Sequence, residues 1–175
     1  MRQHYTEGIC KVTVEEFVTG LVEIYNRACT HSNPRGNAGS ICDKSNMTGE
    51  IRYQDAGFGS MERARELGLT DRYQEEHKDA AVSRRDAAKK VHVLLRDVLK
   101  IPDLADISKA AKLKDLYDCR VCVNDIAQVF LRGIMQGHEY PGGLLLFESY
   151  EMLTDEETEK VFSAVRDIVC HAGHA

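Results

Sequence analysis

Three helix starts of one kind divide this chain into evenly spaced units, and that spacing limits the folds open to it. Thr13-Val-Glu-Glu16, Ser83-Arg-Arg-Asp86 and Thr154-Asp-Glu-Glu157 stand 70 and then 71 residues apart. In each, the hydroxyl can accept from the open N–H groups of a first helical turn while the acid three places on bonds back, the pattern of a capping box. Apolar residues follow in one register: Leu21 and Ile24, Val91 and Leu94, Phe162 and Val165. A capped amphipathic helix that recurs at a fixed period buries its stripe against its neighbours. Such repeats point to a scaffold or binder before an enzyme.

Between the boxes the pattern predicts helix–loop–helix units. The first helix reads from Thr13 to about Cys29, with Phe17, Leu21, Ile24 and Ala28 on one face, and is the surviving half of a first unit at residues 9–30. Residues 30–40, rich in Gly, Asn, Ser and Pro, read as a loop. A second unit, residues 47–99, holds a helix at 60–67 closed by Gly68, a polar turn with Tyr73, and a capped helix from Ser83 to about Leu99, stopped before Pro102. A third, residues 101–170, shows helical patterning at 109–117 and 123–132 and a Gly-rich loop at 133–153. In that loop residues 144–147 form a short extended or buried hairpin piece, and the last helix follows from Thr154 to about Val169. No parallel sheet is predicted. The expectation is a single, mainly α domain over residues 1–175.

Leu131-Arg-Gly-Ile-Met-Gln-Gly137, followed by Phe147 and then Thr154-Asp-Glu-Glu157, resembles an S-layer homology repeat. That family writes a helix ending in Gly-Ile, a second Gly, a Phe and a Thr-Arg-Ala-Glu-like helix start. Tyr53-Gln-Asp55, Glu66-Leu-Gly-Leu69 and Ser83-Arg-Arg-Asp86 form a compressed second copy. The resemblance covers about two and a half repeats, most of residues 9–169. It implies a pseudo-threefold bundle of helix–loop–helix units with short extended loop segments, and burial of Phe147 beneath its loop. It also implies a function: such modules anchor exported proteins to pyruvylated cell-wall polymers through basic residues in the grooves between repeats. The motif's arginine maps to Val14, Arg84 and Asp155, so two of three grooves lack the cation and Asp155 repels an anionic sugar. The groove that keeps it makes Ser83, Arg84 and Arg85 the candidate ligand-binding residues.

A formal charge of -5 argues against a general binder of nucleic acid or anionic membrane, and no apolar run approaches the ~20 residues that cross a bilayer. At 175 residues the chain can bury about 70% of its unfolded surface, so it needs no metal or disulfide to fold. Residues 1–8 lack the apolar core of a secretory signal, and six cysteines suit a reducing compartment. The expected location is the cytoplasm, with the cell surface as the alternative if an export signal has been removed.

Cys119-Arg-Val-Cys122 offers half a zinc site or a redox pair. Its possible completers, Cys29, His31, Cys42, Cys170, His171 and His174, do not fall into paired spacing, so these thiols read as reduced, buried or incidental cysteines and no metal is expected. None of the seven histidines sits in His-Glu-x-x-His, and Gly-x-Ser-x-Gly and phosphate-loop patterns are absent, so no catalytic residue and no cofactor are expected. The acids Asp155, Glu156, Glu157 and Glu159 fit capping and the helix dipole. The basic run Arg84, Arg85, Lys89 and Lys90 reads as a solvated helix face, or as the surviving groove. Tyr140, Leu144 and Leu145 form a partner-binding loop or part of the core. The reading is a non-enzymatic protein-binding or inhibitor module, of phage or mobile-element type, with an unidentified protein partner. An anionic cell-wall glycan is the alternative ligand, and a homodimer would complete the half-repeat.

Overall fold

Each capping box forms and opens a helix. A computed structural model describes residues 11–31 and 59–172. Thr13 N donates to Glu16 Oε2 at 2.8 Å and Glu16 N to Thr13 Oγ1 at 3.2 Å, which starts α1, Val14–His31. Thr154 N reaches Glu157 Oε2 at 3.0 Å and Glu157 N reaches Thr154 Oγ1 at 3.3 Å, which starts α6, Asp155–Ala172. At Ser83 the shorter aspartate changes the geometry. Asp86 N donates to Ser83 Oγ at 3.3 Å and the Ser83 hydroxyl donates to the Asp86 carboxylate at 2.6 Å, as the threonine hydroxyls do in the other boxes, but without the return bond from the main chain that they have; α4, Arg84–Val93, follows.

Three shorter helices lie between these: α2, Ser60–Glu66; α3, Arg72–Glu76; and α5, Val123–Leu131. α2 and α5 end alike. Gly68 and Gly133 both stand at φ +72°, a conformation that glycine adopts without the Cβ penalty. Leu69 N then bonds Ala64 O at 2.8 Å and Ile134 N bonds Val129 O at 2.9 Å, closing a Schellman turn at each end. β1, His138–Tyr140, and β2, Leu144–Leu146, form an antiparallel pair with Tyr140 opposite Leu144. Gly142 and Gly143, at φ +87° and +77°, turn the chain between them.

The residue before each cap joins a closed ring of main-chain bonds. Val82 N donates to Val12 O at 2.9 Å, Leu153 N to Val82 O at 2.9 Å, and Val12 N to Leu153 O at 3.4 Å. All three side chains are buried, so the ring sits at the centre of the core. Around it lie Phe17, Leu21 and Ile24 of α1, Val91 and Leu94 from α4 onward, and Val165 of α6; Phe17 stacks on Phe162 at 5.4 Å between ring centres. Phe147 is fully buried.

Among the described residues, the two capped helices that carry a short partner differ from the one that does not. α1 buries Val18, Val22 and Tyr25, and Arg63 of α2 lies over the Tyr25 ring. α4 and the turn after it bury Ala88, His92 and Leu95, and His92 bonds Asp125 of α5 at 2.5 Å and Asp103 at 2.7 Å. At the same spacing from its cap α6 carries Glu159, Ser163 and Arg166, all exposed.

Several expectations are corrected. Residues 109–117 do not form one helix: a 3₁₀ helix, Ser108–Lys112, gives way to turns. Asp115 is the cause, because its carboxylate accepts from Phe147 N at 2.7 Å and Glu148 N at 2.6 Å, while Lys114 N bonds Leu145 O, tying this stretch to the hairpin. α4 stops at Val93 and continues as a π-helical turn, Leu94–Val98, ended by Lys100 at φ +58°. The turn at Tyr73 is the short helix α3, capped by the Asp71 carboxylate accepting from Gln74 N at 2.9 Å. Tyr53, Asp55, Cys10, Cys42, His174 and most of the expected loop at 30–40 lie outside the described residues. No described helix is long and apolar enough to cross a membrane.

Candidate binding site

Arg84, the first residue of α4, is drawn inward. The basic run that contains it is not the solvated face its composition suggests: Arg84 and Lys90 are buried, Arg85 is half-buried and only Lys89 is exposed. The cap places Arg84 beside the loop that follows α5. There its Nε donates to Phe147 O at 2.7 Å, one terminal nitrogen to Gln136 O at 2.5 Å and the other to Glu157, and its guanidinium lies 4.9 Å from the centre of the Phe147 ring. Its side chain is 3% exposed. Burial pushes the Arg84 pKa down, and the carboxylates of Glu157, Glu148 and Asp115 oppose that shift. The planar fork suits this place, because it binds two carbonyls and a carboxylate at once.

Glu157 does two jobs. One oxygen closes the α6 cap; the other holds Arg84 and lies 3.2 Å from His138 Nε2. His138 Nδ1 contacts Glu148, which also accepts from the Tyr140 hydroxyl. Those bonds, from Tyr140 and then His138, hold the Glu148 carboxyl below its ordinary pKa, and the same carboxylate raises that of Tyr140. The chain from Arg84 to the hairpin is therefore one continuous polar network. Beside it opens a cleft of about 340 Å³ lined by Arg84, Ile134, Met135, His138, Glu157 and Lys160.

A smaller cleft, about 130 Å³, is lined by Gly68, Leu69, Asp86, Lys89 and Lys90, where the larger one has Gly133, Ile134, Glu157, Lys160 and Val161. Lys90 donates to Leu69 O at 2.8 Å and Gln74 Oε1 at 2.6 Å, both neutral acceptors. Burial lowers its pKa to about 8.

Of the residues singled out in sequence, Ser83 is a buried cap, and Arg85 lies over the Tyr150 ring with its guanidinium carbon 4.8 Å from the centre. Tyr140 and Leu144 are exposed on the hairpin, while Leu145 is half-buried and packs on the core. Cys119 and Cys122 are not reduced thiols; they form a disulfide. Among the described residues no cluster of His, Cys, Asp or Glu could hold a metal ion. His138, Glu148, Gln136 and Lys160 were not legible as a set, because His138 lies on β1, Gln136 and Glu148 in the turns on either side of the hairpin, and Lys160 on the helix after it. Compared with known proteins, the chain matches no family model, no curated protein and no solved structure.

Proposed function

We propose that the chain is a non-enzymatic protein-binding module on a pseudo-threefold frame like that of S-layer homology domains. The ring joining Val12, Val82 and Leu153 and the paired Schellman turns at Gly68 and Gly133 support the frame. One observation carries the choice of ligand: Arg84 is engaged by Phe147 O, Gln136 O and Glu157 and is withdrawn from solvent, so it offers no free cation to an anionic sugar. Of the large apolar side chains exposed among the described residues, Tyr140, Leu144, Tyr150 and Met152 fall in one stretch of sequence, while Tyr73, Leu104, Tyr117 and Val121 lie elsewhere. Aromatic residues on a loop fixed by a rigid frame are favoured anchors for a protein partner. The polar outer face of α6 supports a single chain that needs no second copy to cover it.

The test is capture of binding proteins from lysate by the tagged chain, run beside retention on protein-stripped cell-wall sacculi. Two variants are compared, Tyr140→Asp with Leu144→Asp, and Lys160→Glu. A stoichiometric partner lost with the hairpin variant and kept with Lys160→Glu supports the proposal. Retention on sacculi that Lys160→Glu abolishes and the hairpin variant keeps would replace it with wall anchoring through the larger cleft.

A further inference from the structure

We infer that Cys119 and Cys122 are a thiol–disulfide couple that exchanges two electrons with small thiols, a chemistry independent of the binding reading. Their Cα atoms stand 5.4 Å apart, within the range a disulfide spans without moving the backbone. Cys122 N bonds Cys119 O at 3.0 Å, so a 3₁₀ turn, Arg120–Cys122, brings the two cysteines together.

Position supplies the chemistry. Cys122 is the N-cap residue of α5 and its side chain makes no cap hydrogen bond, so the sulfur stands at the positive end of the helix dipole without being bonded to the first turn. A thiolate at such an end is favoured over a thiol in open chain. The intervening residues reach outward: Val121 is 93% exposed and Arg120 is exposed, which places a cation on the same turn. Both cysteines are 5–7% exposed beneath this protruding turn. A bond closing so short a loop restrains the unfolded chain least, and a chain of this size has no need of a staple, so stability alone gives little account of it.

The exchange balances with glutathione as the reductant. A glutathione thiolate attacks Cys119 Sγ, the protein S–S bond breaks, and Cys122 leaves as a thiolate at the α5 N-terminus. A second glutathione attacks the mixed disulfide, releasing Cys119 and glutathione disulfide. Two electrons and two protons pass to the protein. Glutathione disulfide reverses both steps.

The full chain is equilibrated in glutathione buffers of graded ratio, quenched with acid, alkylated and digested with trypsin. Cleavage after Lys114, Arg120 and Arg132 separates Cys119, in residues 115–120, from Cys122, in residues 121–132. The oxidised pair appears as two joined peptides and the reduced pair as two alkylated ones. The expected result is a single reversible transition in which the reduced-to-joined ratio changes about 100-fold for each tenfold change in glutathione at fixed glutathione disulfide. Cys119→Ser abolishes the joined species, and circular dichroism of both forms reports the fold. Peptides that stay joined in the most reducing buffer would make the bond a fixed staple and overturn the inference. Peptides never joined in the most oxidising buffer, or zinc retained and lost in Cys119→Ser, would overturn it as well.

Discussion

Arg84→Ala is expected to destabilise the fold by about 3–5 kcal/mol, the cost of removing one partner from a buried, hydrogen-bonded ion pair. The figure follows from what the truncation leaves behind. Phe147 O and Gln136 O each lose a charge-assisted bond at 2.7 and 2.5 Å, and a buried acceptor without a partner costs about 1–3 kcal/mol. Glu157 loses less, because its side chain is 20% exposed and keeps Thr154 and His138. Burial of the guanidinium is itself unfavourable, so the net loss falls below the sum of the broken bonds. Arg84→Lys keeps the charge but not the fork, and is expected to recover less than half of the loss. Arg72→Ala is the control: Arg72 pairs with Glu76 at 3.1 Å with the two side chains 91% and 58% exposed, and its loss is expected to stay under about 0.5 kcal/mol. Urea titration followed by circular dichroism, with the slope compared between variants, reads all three. An Arg84→Ala chain as stable as Arg72→Ala would mean that the guanidinium is free in solution, and the argument against an anionic ligand would fall with it.

Two further expectations concern buried contacts elsewhere. Lys90 has a folded pKa of about 8 against an ordinary 10.5, so its charged form is disfavoured by folding; the penalty is fully present below pH 8 and is relieved as pH rises toward 10.5, a change of about 3 kcal/mol in favour of the fold. The stability difference between the natural chain and Lys90→Met, measured by denaturant titration from pH 7 upward, should therefore shift by about that amount toward the natural chain; parallel curves would refute it. Gly137→Ala places a Cβ 2.8 Å from Leu113 Cδ2 and 3.0 Å from Leu146 O, and is expected to lower stability by about 1–3 kcal/mol; a melting temperature unchanged in Gly137→Ala would show that the loop has room to shift.

The helix starts were legible because a capping box is a local signal: Thr13, Ser83 and Thr154 need only their own acids to work. Gly68 and Gly133 were legible for the same reason, since a glycine after an apolar period marks a helix end. Residues 109–117 were misread because the decisive bonds are long-range. Asp115 is 32 positions from Phe147, and nothing in its own neighbourhood announces that it will cap a hairpin exit. The site failed the same way. Arg84 looked solvated among other basic residues, yet its partners lie 52, 63 and 73 positions away. The disulfide is local in sequence, but a spacing of three residues fits reduced, metal-bound and oxidised cysteines equally, and only the turn that joins the sulfurs separates them.

In the proposed repeat register the two clefts meet one requirement by different means. The Gly-turn after each short helix leaves a carbonyl facing the cleft, Leu69 O in one and Gln136 O in the other, and each is bonded by a buried cation. In the larger cleft that cation is Arg84, reaching forward from the preceding unit. The residue in its place in the first unit is Val14, which has no donor, so at the smaller cleft the cation is Lys90, from the second unit's own helix. The third helix has Val161 where the second has Lys90, and needs no lysine because Arg84 already serves its turn. In that register a valine in one unit and a buried lysine in the next together stand where the other cleft has an arginine. Cations fixed in this way close turns; among the described lining residues that leaves Lys89 at one cleft and Lys160 with His138 at the other, so on the proposed reading neither cleft is expected to hold a polyanion against a chain of net charge -5.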